Sequence, residues 1–180
     1  MDSTFTALAR QTETGRVMAD DDVLGVSWPL APFDGVVGFT RRLVIATLRM
    51  WGVELGDRAD DVALLVSELL TNAFAHSSGQ PVTLGLYASR REHALSLGVL
   101  DGSSDHPVLQ TADDEAEHGR GLFIVDHLTA GRWTSQATDF GKRVMATLSL
   151  PVQPSAAQGQ QLCRRIPACH PCPVGSSFVT

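Results

Sequence analysis

The sequence predicts a two-layer α/β sandwich: a mixed, mostly antiparallel sheet with helices packed on one face. Three observations carry that expectation. Several short segments alternate apolar and polar residues, two longer ones repeat apolar residues at helical spacing, and the two kinds are interleaved along the chain. Alternation gives each strand a single apolar face, which suits antiparallel pairing beneath one helix layer.

Met1 to about Asp22 is polar, lacks apolar periodicity and ends in Asp20-Asp21-Asp22, so residues 1–22 are expected to be a disordered lead-in. Val23 to Leu30, VLGVSWPL, has the β-branched and aromatic content of a strand, closed by Pro29 and Pro32. From Asp34 to Met50, Val36, Val37, Phe39, Leu43, Val44, Ala46, Thr47 and Leu48 recur at helical spacing, and Gly52 and Gly56 break the helix. Asp57 is placed to cap a second helix over Arg58 to His76, with Val62, Val66, Leu69, Leu70 and Ala73 on its apolar face.

Val82 to Tyr87 and Ala94 to Leu100 alternate as two strands, joined as a hairpin through Ser89-Arg90-Arg91-Glu92. A polar, acidic loop runs from Asp101 to His118, LFIVDHL predicts a short helix, and Val144, Ala146, Leu148 and Leu150 alternate as a last strand. About four strands are therefore expected, in one domain over residues 23–151. Residues 152–180, rich in Pro, Gln and Ser, are expected to be a disordered tail.

Composition narrows the function. A net charge of −6 argues against capture of nucleic acid, which needs a concentrated basic face. No apolar run approaches the roughly 20 residues of a membrane span, and the N-terminus lacks the form of a secretory signal, so a cytoplasmic protein is expected. The one lysine, Lys142, has no G-x-x-x-x-G-K-[ST] around it, which removes a Walker-type phosphate loop. Cys163, Cys169 and Cys172 fall in the tail, outside every periodic segment, and with His170 lack the paired knuckles of a structural zinc site. No G-x-S-x-G element suggests a hydrolase.

Within SELLTNAFAHS, Glu68, Asn72 and His76 are spaced four apart, each about 40° round the helix from the last, so they form one polar stripe beside the apolar face. A carboxylate there can accept a proton, and an amide oxygen can coordinate a hard cation that also holds phosphate. Asp101, at the end of a strand, can accept a hydrogen bond from an exocyclic amine. In HGRGL, His118 to Leu122, Gly119 and Gly121 permit a tight backbone path into a helix start, and Arg120 adds charge, which together suit phosphate. His76 reads as structural support, and the run Asp113-Asp114-Glu115 with Glu117 suits a solvated, mobile lid.

ELLTNAFAH, VLDGSSDHP and HGRGLFIVD, in this order, resemble the N, G1 and G2 boxes of the Bergerat-type ATP-binding fold, that of the GHKL or histidine-kinase-like ATPases. More narrowly, Arg41-Arg42, the WGV segment at Trp51 and the late Gly141-Lys142 look like the anti-sigma-factor serine/threonine kinases, over about Val23 to Leu150. Asp101-Gly102-Ser103-Ser104 departs from the broad family's D-x-G-x-G, while the spacing to Pro107 is similar to the anti-sigma branch. The resemblance implies ATP and Mg²⁺ as cofactors, with Asn72 holding the metal, Glu68 as the catalytic carboxylate, Asp101 reading adenine beside Ser103, and Gly119, Arg120, Gly121 and Leu122 in the phosphate-covering lid. It also implies an anti-anti-sigma protein as substrate, a sigma factor as sequestered partner, and homodimers. The alternative is a non-catalytic module that docks a transcription regulator when ATP is bound. A histidine-kinase catalytic fragment ranks last, because no phosphoacceptor helix pair precedes Val23.

Overall fold

A computed structural model gives the fold and describes residues 18–20, 22–103 and 120–151. In chain order the elements are β1 (Met18–Asp20), β2 (Val23–Leu30), α1 (Val36–Met50), a 3-10 turn (Gly56–Arg58), α2 (Ala59–His76), β3 (Val82–Ser89), β4 (Ala94–Asp101), α3 (Arg120–Thr129), β5 (Trp133–Thr138) and β6 (Gly141–Ser149). The strands form one sheet in the order β1-β2-β3-β4-β6-β5, and every neighbouring pair is antiparallel. The predicted α/β sandwich is the observed architecture, with six strands in place of about four.

Register explains which side of the sheet the helices cover. Leu84, Leu86 and Ala88 of β3, Leu95, Leu97 and Val99 of β4, and Val144, Ala146 and Leu148 of β6 share a core with Val44 and Leu48 of α1 and Val62, Val66, Leu69 and Leu70 of α2. Burying these branched side chains removes about 25 cal/mol of unfavourable hydration per Å² and is the main force fixing helices to sheet. α2 packs between α1 and α3, over β3 and β4, while α3 lies against β5 and β6. The opposite sheet face sets small residues, Ser27, Gly85 and Gly98, among the larger Tyr87, Leu100, Arg143 and Met145. There the Tyr87 ring lies flat enough that a Cβ added at Gly25 or Gly85 would come within 2.9 Å of it.

Several expectations need correction. Asp57 caps nothing: it lies inside the 3-10 turn, and α2 starts after Arg58 without a side-chain cap. The Arg58–Asp61 pair at 2.6 Å ties the first turn instead. Phe39, assigned to the apolar face of α1, is 48% exposed, and the buried stripe is narrower: Val36, Thr40, Val44, Thr47 and Leu48. Met18–Asp20, within the stretch read as lead-in, pairs with Val23–Gly25 as the edge strand β1. β5 had no strand signal because it is a polar edge strand, WTSQAT. Residues 1–17, 21, 104–119 and 152–180 lie outside the described residues, and with them most of the lead-in, the acidic run and the Cys-containing tail.

Candidate nucleotide site

α2 brings the predicted polar stripe to the edge of the core. Its inward face, Leu65, Val66, Leu69, Leu70 and Ala73, is buried; Glu68 and Asn72, beside it, are half-buried, and His76 in the last turn is exposed. Burial pushes the Glu68 carboxyl above the ordinary glutamate value of 4.5, because desolvation penalises the charged form. A carboxylate so disfavoured is a better proton acceptor than one in water. One residue earlier, Ser67 Oγ donates to Ala63 O at 2.8 Å and accepts from Arg41 Nη1 at 3.3 Å, which joins α1 to α2 next to Glu68.

α3 begins against this carboxylate. A Cβ added at Gly121 would stand 2.6 Å from Glu68 Oε2, closer than atoms pack, so the absence of a side chain at 121 lets the first turn of α3 approach the carboxylate. Leu122, next in that turn, is half-buried, and Arg120 is the first residue of the helix. A helix start carries N–H groups without intrahelical partners and a positive dipole end, which suit phosphate oxygens. Gly119 lies outside the described residues.

The end of the sheet supplies the third element. Asp101, last residue of β4, is 2% exposed. The backbone N–H of Ser103 donates to Asp101 Oδ1 at 2.9 Å, and Lys142 Nζ lies 3.1 Å from the same oxygen. Asp101 Oδ2 is buried with no hydrogen-bond partner among the described residues. A buried carboxylate oxygen left without a donor is costly, so it fits a ligand that brings one, such as the amine of adenine. Gly141, opposite this end, has φ 129 and would, with a Cβ, overlap Asp101 O.

Sequence reasoning thus put Glu68, Asn72 and Gly121 on neighbouring elements and Asp101 with Ser103 at the sheet end, but it missed Lys142 as part of the site. Lys142 occupies the inward register of β6 with Val144, Ala146 and Leu148, where an unpaired lysine is almost never found. Among the described residues there is no cluster of three or more His, Cys, Asp or Glu able to hold a metal. The half-buried amide of Asn72 offers an oxygen of the kind a hard cation such as Mg²⁺ accepts. No helix among the described residues is long and apolar enough to cross a membrane.

No curated protein matches this chain. The family model of the histidine kinase-like ATPase domain matches residues 36–147, from the first residue of α1 into β6, and so takes in Glu68, Asn72, Asp101, Gly121 and Lys142. With more than half of the sequence inside that match, and an antiparallel sheet under one helix layer, the chain belongs to the histidine kinase-like ATPase domains, whose fold is one that binds ATP.

Proposed function

We propose that the chain is a cytoplasmic protein serine/threonine kinase that uses ATP and Mg²⁺ held between α2 and the start of α3. The observation supporting this most directly is the half-buried Glu68 carboxylate, its pKa raised by desolvation, packed against the backbone of Gly121 where α3 begins. Phosphoryl transfer depends mainly on alignment and charge neutralisation, so one positioned carboxylate beside a phosphate cradle is sufficient apparatus. ATP, when bound, supplies the γ-phosphoryl group.

The residues divide the work. The Asn72 amide oxygen coordinates the cation, the first-turn N–H groups of α3 with Arg120, Gly121 and Leu122 hold phosphate, and Asp101 with Ser103 reads the base. Glu68 takes the proton from the attacking Ser or Thr hydroxyl. The new P–O bond then forms on that oxygen, the bond from the γ-phosphorus to its bridging oxygen breaks, and ADP leaves. The resemblance to anti-sigma-factor kinases suggests an anti-anti-sigma protein as acceptor, a sigma factor as the alternative partner, and a homodimer as the working form.

The test is capture of partners by the full-length chain, followed by addition of γ-labelled ATP and Mg²⁺. Label on a Ser or Thr of a captured protein is the expected outcome. ATP-dependent capture with no transfer to any protein would leave a docking module and contradict the kinase reading.

A further inference from the structure

Lys142 is the one lysine of the chain, and the fold hides it: the side chains of Lys142 and Asp101 are each 1% exposed. Taking an ammonium and a carboxylate out of water is expensive, and an apolar pair in the same register is usually as stable or more so. Val144, Ala146 and Leu148 show that β6 otherwise fills its inward positions that way. Core stability alone therefore does not account for a charged pair here.

The pair is also left incomplete. Lys142 Nζ forms an ion pair with Asp101 Oδ1 at 3.1 Å but has no hydrogen-bond partner among the described residues. Oδ1 is already engaged by the Ser103 N–H, while Oδ2 is unpartnered. An unspent acceptor and unspent donors lie side by side at the end of the sheet, both closed off from water, so a ligand reaches them only when this end opens.

We propose that Asp101 and Lys142 form a two-point reader of a purine edge, in which Oδ2 accepts from the 6-amino group and Nζ donates to the adjacent ring nitrogen. This rests on the assignment of Asp101 as the base-reading residue. Adenine presents a donor at the amine and an acceptor at N1. A 6-oxopurine presents the reverse, an acceptor at the oxo group and a donor at N1–H, and meets like with like on both points. Lys142 is thereby a specificity-determining residue for the nucleotide.

Calorimetry on the full-length chain with Mg²⁺ and either ATP or inosine triphosphate, which differs from ATP only at this edge, tests the proposal. The unaltered chain is expected to prefer ATP by roughly a hundredfold, and folded Lys142→Met to lose about tenfold of that ratio. A folded Lys142→Met that keeps the ratio overturns the role of Lys142. Should that variant not fold, lysine labelled with ¹⁵N in the unaltered chain gives a single side-chain ammonium signal, expected to shift with ATP and not with inosine triphosphate. A signal unmoved by saturating ATP overturns the proposal. Asp101→Asn separates the two levels: unchanged ATP affinity removes base reading at Asp101 and this inference with it, whereas lost affinity beside an unchanged ratio in Lys142→Met removes only the lysine's part.

Discussion

Glu68→Gln is expected to cut phosphoryl transfer by about a hundredfold or more, the usual worth of a positioned general base, while ATP affinity stays within about threefold. Glutamine keeps the shape of the side chain and its contact with Gly121 but cannot take the hydroxyl proton. Labelled transfer to the acceptor and calorimetry with ATP separate these effects. Equal transfer by the variant would remove Glu68 from the chemistry.

The raised pKa of Glu68 gives the same substitution a second signature. Because its folded-state pKa lies above the unfolded value of 4.5, the stability it contributes is full below that value and is lost as pH rises through the folded pKa. At neutral pH the ionised carboxylate is therefore a liability to the fold, and Glu68→Gln should melt no lower than the unaltered protein. Transfer itself should decline as pH falls, with its midpoint above 4.5, since only the ionised form accepts the proton. Retained or improved stability beside lost activity is the pattern of a residue kept for function.

Gly141→Ala is expected to be the most disruptive single methyl in the described structure. The residue sits at φ 129, a backbone region strained for any L side chain. Its Cβ would overlap Asp101 O and stand 2.7 Å from the Gly102 Cα. Backbone strain of about 1–3 kcal/mol adds to a comparable cost of overpacking. For a chain of this length the sum lowers Tm by roughly 10 °C. ATP affinity should fall further than the stability loss explains, because the clash displaces Asp101 and Gly102 directly. Thermal denaturation with a parallel binding measurement checks this, and a Tm within about 2 °C of the unaltered protein would contradict it.

Much of this was legible in the sequence because the signals were periodic. Alternation in β3, β4 and β6 and the apolar stripe of α2 each reflect a face buried against the same core, and burial imposes pattern. The glycines of HGRGL pointed to a close backbone approach, and Gly121 makes one, onto a residue of the polar stripe. What was missed lacked that kind of pattern. β5 sits at the sheet's edge with polar residues on both faces, so its strand-favouring Trp133, Thr134 and Thr138 show no apolar alternation to mark a strand. β1 has three residues, too few for a period to show. Asp57 had the chemistry of a cap, but the chain enters α2 through a 3-10 turn that places it one step too early. Lys142 broke an apolar alternation, which reads as noise until β4 is paired beside it and Asp101 is found directly opposite.

The central claim is that α2 and the start of α3 hold ATP through a cation on Asn72. Titrating the folded full-length chain with ATP in a calorimeter, with Mg²⁺ and then with the metal chelated, tests it directly when repeated on Asn72→Ala. Metal-dependent uptake is expected, weakened about tenfold or more in Asn72→Ala, the loss of one contact to a charged centre. No uptake at millimolar ATP and Mg²⁺, or equal metal-dependent uptake by Asn72→Ala, would contradict the account.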